Sequence, residues 1–187
     1  YGSIGYSGGP NKVRSGLFRM NPDGSNVENI TNFNNNTWGL GISEDFEVFG
    51  STANRNPAFH AAIPYRYYEN AGIKKKPANL IFDDNTFYPL IATRQVDAFG
   101  MYTAGAGFNL YTARSYPEKY WNKSAFIGGP SGRLLGQFFL EEDGASYKAI
   151  NGQNLMASFD QYTSPIQAKT GPDGQVWVLD WSNLIIQ

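Results

Sequence analysis

A strand pattern that recurs about every 60 residues constrains the fold of this chain more than any other feature of its sequence. Three alternating strand segments, each preceded by a turn, occupy residues 46–50, 108–112 and 174–178. Val48, Leu110 and Val176 stand at matching places in the three segments. Short strands that repeat at such an interval, with Gly, Asp and Asn turns between them, are typical of a β-propeller.

The sequence therefore predicts an all-β protein of the β-propeller class, with six blades when complete. The period of about 60 residues is somewhat longer than the roughly 40 to 50 residues of a common blade, so a chain of 187 residues supplies about three blades. The ring needs further blades, either from a longer polypeptide or from other chains. Because Tyr1 is no start signal and Gln187 directly follows an apolar run, we expect a piece of a longer polypeptide, with residues 1–187 forming one partial propeller domain.

The composition favours a packed, turn-rich protein and argues against several partners. The chain is 41% hydrophobic and 16% aromatic, and 15 basic and 16 acidic residues leave a net charge of −1. Such a balance gives no electrostatic basis for binding nucleic acid, and no apolar stretch approaches the roughly 20 residues of a membrane span. The absence of cysteine excludes disulfides and thiolate metal sites within these residues. Two glycosylation-type sequons at 29–31 and 35–37 are compatible with a periplasmic or cell-surface protein.

Turn residues and alternating segments define the predicted elements. Residues 53–89 are too long for a blade loop and are predicted to be an insertion, whose three lysines at 74–76 form a solvated face. The glycine-rich run 104–107 is predicted to be a tight turn between strands, and 116–121 a short helical turn. Strands are predicted at 15–20, 27–31, 38–43, 46–52, 101–106, 108–113, 124–128, 133–140, 166–170 and 176–181.

Loops that enter the first strand of a blade and loops that leave the second strand must lie at the same end of the sheets. The predicted strands assign to this end the loops 34–37, 94–97, 160–164, 53–60, 114–116 and 180–183. These loops are rich in Asn, Arg, Asp, His, Tyr and Trp. Such a mixture suits a sugar or an anionic cofactor, which need hydrogen-bond donors, neutral amides and an aromatic platform.

Three residues are the catalytic candidates. His60 is the only histidine and so the only side chain whose ordinary pKa suits proton transfer near neutral pH, although packing on a neighbouring aromatic ring is an alternative role. Arg94 could neutralise a carboxylate or form a structural ion pair with Asp97. No Gly-x-Ser-x-Gly motif is present and the only histidine would have to serve any triad, so the sequence predicts no nucleophile.

The remaining candidates are binding residues. Asn35, Asn36 and Arg114 are predicted to contact a cofactor. The predicted substrate contacts are Trp38, Asn54, Arg55, Tyr162 and Trp181. Asp160, Asp173 and Asp180 could hold calcium through carboxylate oxygens, although their spacing matches no calcium loop, and no metal ligand is assigned.

Several segments resemble a known family. The runs GLFRMNPDG at 16–24, FNNNTWGLG at 33–41 and GPDGQVWVLDW at 171–181 are similar to the propeller domain of membrane-bound dehydrogenases of planctomycete-type bacteria. Those proteins are similar to sorbosone and soluble glucose dehydrogenases, six-bladed propellers that oxidise sugars with pyrroloquinoline quinone. The resemblance implies this quinone, calcium beside it and a cytochrome c electron acceptor.

The resemblance includes one stretch that faces the quinone in the sugar dehydrogenases. In the sugar dehydrogenases an Arg-Asn-Pro-Gln-Gly-Leu stretch leads into an innermost strand. Residues 35–40 of this chain correspond to it, so Asn36 matches the asparagine and Asn35 replaces the arginine. Arg55 begins an Arg-Asn-Pro sequence, but it follows a second strand instead of preceding a first one. The catalytic histidine of those enzymes would lie in an earlier blade.

Three functions follow as hypotheses. The first is an exported fragment of a sugar or sugar-acid dehydrogenase. The second is a non-catalytic propeller that binds a glycan or a partner protein around Trp38, Trp121 and Trp181. The third is a polysaccharide lyase or hydrolase, for which the sequence offers only His60 and scattered carboxylates.

Overall fold

A computed structural model describes residues 15–92 and 99–184. The described strands are β1 Gly16–Arg19, β2 Glu28–Asn32, β3 Thr37–Ile42, β4 Val48–Thr52, β5 Phe59–His60, β6 Asn79–Leu80, β7 Ala106–Leu110, β8 Ser124–Gly129, β9 Leu134–Asp143, β10 Ser146–Ala157, β11 Pro165–Thr170 and β12 Val176–Asp180. One α-helix, α1 Tyr65–Asn70, and 3₁₀ turns at Glu118–Tyr120 and Pro130–Gly132 lie between them.

All the strands belong to antiparallel sheets in which chain neighbours pair. Strands β3 to β6 form one four-stranded sheet, and β7 to β10 form a second one. The hairpins β1–β2 and β11–β12 form two-stranded sheets before and after them. The predicted all-β class is confirmed. Within the described ranges, no helix has the length and apolar character needed to cross a membrane.

The strand predictions were correct for nine of the ten segments and wrong for one. Residues 101–105 do not form a strand: Met101 makes an isolated bridge to Thr86, and the glycine-rich run, which bends at Ala104, leads into β7 instead of joining two strands. The segment predicted as a second strand is therefore β7, the first strand of its sheet. Leu110 thus lies in a first strand, whereas Val48 and Val176 lie in second strands.

Two further differences concern the outer strands. The sequence did not predict β10, because its run Asn-Gly-Gln-Asn at 151–154 has the composition of a turn, yet it pairs with β9 through irregular register. Residues 53–89, predicted to be an insertion, contain the third and fourth strands of the first sheet, separated by α1.

The sheets pack face to face in chain order. Strand β8 is buried along its whole length because both of its faces are covered. Ile127 belongs to a core shared with Phe49 of the preceding sheet, whereas its neighbour Phe126 packs with Ala168 of the following hairpin. Successive side chains of a strand point to opposite faces, so one strand contributes to two cores. A third core joins the first hairpin to the first sheet.

The first strands of successive sheets lie side by side. A Cβ atom at Gly39 in β3 would stand 2.5 Å from the carbonyl oxygen of Gly107 in β7. A Cβ atom at Gly107 itself would stand 2.8 Å from the side chain of Gln167 in β11, and its φ of +71° also favours glycine. The Ser51 hydroxyl donates a 2.8 Å hydrogen bond to the Gly107 carbonyl. Glycine therefore permits β3, β7 and β11 to approach closely.

Candidate functional site

A cavity of about 350 Å³ opens where β3, β7 and β11 begin. Small residues at the start of β7 line it together with residues of the two neighbouring sheets. The lining residues are Asn36, Trp38, Ala53, Ala104, Gly105, Ala106, Pro130, Ile166 and Trp181. Three of the predicted site residues, Asn36, Trp38 and Trp181, thus share one cavity, which we call the aromatic cavity.

A network of hydrogen bonds centred on Asn54 holds the loops around the aromatic cavity. Its side-chain oxygen accepts hydrogen bonds from the Thr103 hydroxyl at 2.8 Å and from the backbone N–H of Ala104 at 3.3 Å. Its carbonyl oxygen accepts a 2.7 Å bond from the side chain of Asn35. Asn35 in turn accepts a 2.7 Å bond from the N–H of Asn36. Asn35 and Asn54 therefore position the rim and do not line the cavity.

The two tryptophans supply the exposed aromatic surface. Trp38 is 63% exposed and Trp181 is 57% exposed, although large apolar side chains usually lie inside. The exposed side chain of Asn36 adds an amide, which both donates and accepts hydrogen bonds. Aromatic faces with a neutral amide can stack on a ring and bond to its hydroxyl groups.

The other candidates at this end do not reach the cavity. Tyr162 lies in the loop before β11 and is 56% exposed. Arg55 follows β4, and its backbone N–H donates to Tyr102 while its carbonyl accepts from Asn85. Arg94 and Asp97 lie outside the described residues.

His60 is at the opposite end of the sheets, not in a loop beside the aromatic cavity. It is the last residue of β5 and is only 2% exposed. Its ring stacks on Phe49 at a centroid distance of 4.9 Å and meets the edge of Tyr147 at 5.1 Å. Its Nε2 lies 2.9 Å from Glu47 Oε2 and its Nδ1 lies 3.0 Å from Ser146 Oγ. Burial, followed by the charge of Glu47, raises the pKa of Tyr147 above its usual value.

Arg114 is also at the opposite end, because it follows β7, which is a first strand and not a second one. Its guanidinium forms a two-pronged ion pair with Glu44, with distances of 2.8 and 2.7 Å. It also lies over the Trp121 ring at 5.1 Å. Hydrogen bonds from Arg114 hold the pKa of Glu44 below its usual range. The predicted grouping of Arg114 with Asn35 and Asn36 is therefore corrected.

The three aspartates considered for calcium have separate structural roles. Asp160 accepts from the N–H of Tyr162, and Asp180 accepts from the N–H groups of Ser164 and Ser182. Asp173 accepts from Trp177 in the turn between β11 and β12, at the other end. Over the two described ranges, no group of three His, Asp or Glu side chains could hold a metal ion.

The described lining of the aromatic cavity does not fit pyrroloquinoline quinone. This cofactor carries three carboxylates, and buried carboxylates need cationic partners or several hydrogen-bond donors. Among the described lining residues, none is cationic, and Asn36 brings the only side-chain amide. The cavity is instead suited to an uncharged ligand with at least one apolar ring face.

Sequence reasoning missed the small and apolar walls of the cavity and the partners of His60. Ala104, Pro130 and Ile166 carry no chemical signal that could single them out. Glu47 and Ser146 lie 13 and 86 positions from His60 in sequence, and Ser146 begins a strand that the sequence did not predict.

These features define an all-β protein of stacked antiparallel sheets, with an aromatic cavity at the start of its adjoining first strands. The chain belongs to the family described as Domain of unknown function (DUF7133), whose model matches residues 1–187. No curated protein matches the chain.

Proposed function

We propose that the two four-stranded sheets are complete blades of a six-bladed propeller. Support comes from the sheet order: two strands, then two sheets of four strands, then two strands, with each first strand beside the next. The hairpin β1–β2 would then be the outer half of one blade, and β11–β12 the inner half of another. The missing blades would come from the remainder of a longer polypeptide or from other chains.

Two exposed apolar faces support this arrangement. On β3, Leu40 and Ile42 are at least half exposed, while Gly39 and Gly41 beside them pack against β7. On the last hairpin, Trp177 and Leu179 are exposed by similar fractions. Large exposed apolar faces on strands are typical of surfaces that pack on another element. In a ring, neighbouring blades would cover both faces.

We further propose that this propeller is exported and binds a carbohydrate at the aromatic cavity. The observation that carries this proposal is that exposed tryptophans from two different sheets meet there beside an exposed amide. The faces of pyranose rings carry C–H groups that pack on tryptophan, and their hydroxyl groups bond to amides. The absence of charge among the described lining residues favours a neutral sugar over a sugar acid.

Titration calorimetry of the full-length protein against a panel of neutral oligosaccharides tests this proposal. Trp38→Ala should lower the affinity of a bound sugar about ten- to hundredfold, as is usual for a central aromatic contact. Leu40→Ala is the matched control, because Leu40 shares the exposed face of β3 but does not line the cavity. Equal losses in both variants would assign the effect to the packing of blades, and the carbohydrate proposal would fail.

A sugar dehydrogenase is the second proposal, supported by the position of Asn36. The resemblance equates this residue with the asparagine that faces the quinone, and it lines the aromatic cavity. The described lining lacks partners for the carboxylates of the quinone, so this function ranks below carbohydrate binding. Acid extraction of the intact native protein, with absorption and mass spectra of the extract and its calcium content, tests it. A quinone in the extract would reverse the ranking, and a cytochrome c would then be the expected electron acceptor.

A further inference from the structure

Three side chains at the end opposite the aromatic cavity form a hydrogen-bonded chain that carbohydrate binding does not use. Ser146 Oγ lies 3.0 Å from His60 Nδ1, and His60 Nε2 lies 2.9 Å from Glu47 Oε2. The residues come from three places: the start of β10, the end of β5 and the turn before β4. Hydroxyl, imidazole and carboxylate thus stand in the order that nucleophilic acyl transfer requires.

The carboxylate determines which ring nitrogen of His60 carries the proton. An ionised carboxylate only accepts hydrogen bonds, so Nε2 must donate to Glu47. In the neutral ring Nδ1 is then left as an acceptor and faces the Ser146 hydroxyl. Phe49 and Tyr147 fix the plane of the ring by stacking and edge contact. His60 is therefore oriented to take the proton of Ser146.

The same three residues open on a second cavity, of about 360 Å³. Ser146 is partly exposed there, since it directly follows the two-residue turn between β9 and β10. Ala62, Ile63 and Ala78 provide an apolar wall. Asn79 lies opposite His60 in the pairing of β5 with β6 and adds an amide to the lining. A nucleophile, an apolar wall and an N–H donor fit a small acyl group.

We propose that this second cavity is an esterase site for carboxylic esters with a short apolar acyl group. Ser146 Oγ attacks the carbonyl carbon while His60 Nδ1 takes its proton. The C–O bond to the alcohol breaks, and the alcohol leaves with that proton, which gives an acyl-serine. Water, deprotonated by the same nitrogen, then releases the acid and restores Ser146. Asn79 faces the developing oxyanion, and Glu47 is a positioning residue that holds the ring.

A fluorophosphonate probe tests the nucleophile on the full-length protein, because an activated serine displaces fluoride from it. Peptide mapping should locate the adduct at Ser146, and Ser146→Ala should abolish it. Glu47→Gln should slow labelling at least tenfold, since a glutamine amide favours the other tautomer. Ser25→Ala, an exposed hairpin serine, is the control and should label like the unchanged protein. Labelling of Ser146 no faster than that of Ser25 would overturn the proposal.

A cysteine variant gives a second readout that a purely structural hydrogen bond would not produce. These 187 residues contain no cysteine, so Ser146→Cys introduces one thiol that alkylation can follow. A neighbouring imidazole lowers the pKa of a thiol, and iodoacetamide should react at pH 7 at least tenfold faster than with Ser25→Cys. Adding His60→Gln should remove this advantage, while melting curves establish that each variant is folded. An equal rate with and without His60 would show that the base does not act on residue 146.

Hydrolysis of 4-nitrophenyl acetate and 4-nitrophenyl dodecanoate tests the acyl specificity. We expect the acetate to be cleaved at least tenfold faster than by Ser146→Ala, and the dodecanoate to show no such difference. A rate of acetate cleavage that is unchanged in Ser146→Ala would overturn the esterase assignment. Both results are independent of sugar binding at the aromatic cavity.

Discussion

The two ends of the sheets place their chemically informative residues in opposite environments. At the aromatic cavity, Trp38 and Trp181 are more than half exposed and lie beside neutral groups. At the other end, His60 is 2% exposed and is bonded to a carboxylate and a hydroxyl. Exposed aromatic surface favours binding, whereas a buried and oriented imidazole favours stability or catalysis. The exposed aromatic surface and the buried imidazole are therefore kept apart at opposite ends of the same strands.

The number of predicted strands explains why the sequence analysis placed His60 and Arg114 at the same end of the sheets as the tryptophans. In an antiparallel sheet, each additional strand moves the next loop to the opposite end. Counting residues 101–106 as a strand therefore moved Arg114 to the wrong end. His60 was placed in a loop because the two-residue strand β5 has no alternating pattern that could reveal it. Both errors come from the strand count and not from the residue types.

The largest effect on stability is expected from the core between the two ends. Phe108 is fully buried and stacks on Phe49 of the neighbouring sheet at 6.1 Å. Phe108→Ala should lower the free energy of unfolding by about 3–5 kcal/mol, because a cavity remains where the ring was. Urea denaturation measures this change in the free energy of unfolding. Phe159→Ala, which removes a 71% exposed ring, is the control and should change stability by less than about 0.5 kcal/mol. Similar values for both variants would contradict the core assignment.

The sequence revealed the class and much of the aromatic cavity for physical reasons. Strands with turn residues at both ends, such as β11 and β12, could be recognised locally, and so could the exposed end that carries Asn36, Trp38 and Trp181. The hydrogen bonds of Asn54 and the hydrogen-bonded chain from Glu47 to Ser146 could not be recognised from the sequence. They join residues that are 49, 13 and 86 positions apart. Such contacts depend on how the sheets stack.

The second prediction concerns the buried imidazole. His60→Ala should cost about 2–3 kcal/mol, because it leaves a void beside Phe49 and removes the partner of Ser146. Glu47 limits the cost, since its carboxylate is 42% exposed and can bind water instead. Trp38→Ala should change stability much less, because its ring is already mostly exposed. Thermal melts of both variants would contradict the comparison between the ends if Trp38→Ala proved the more destabilising.

The third prediction sharpens the role of the aromatic end. Trp181→Ala should weaken carbohydrate binding by about tenfold, through the loss of one stacking face. Trp177→Ala is a matched control: its ring is 62% exposed, and it donates to Asp173 instead of lining the cavity. Calorimetry with the same sugar measures the affinity of each variant. Equal loss of affinity in the control would mean that exposed tryptophans act through blade packing alone.

The smallest expected effect is a pH-dependent one at the ion pair of Arg114 with Glu44. Because Arg114 lowers the folded pKa of Glu44, the pair stabilises the protein above the unfolded pKa of glutamate, which is about 4.3. This stabilisation is lost as the pH falls through the lowered folded pKa. Arg114→Gln should therefore lower the Tm slightly at pH 7, and the difference from the unchanged protein should vanish near pH 3. Both groups are well exposed, so 0.5 M salt should shrink the difference at pH 7 as well. Arg55→Gln is the control at the aromatic end, where the described residues provide that arginine with no carboxylate partner. If Arg55→Gln showed the same pH dependence, the cause would be the net charge and not the specific ion pair. The two ends of the sheets would then not differ in their electrostatic contribution to stability.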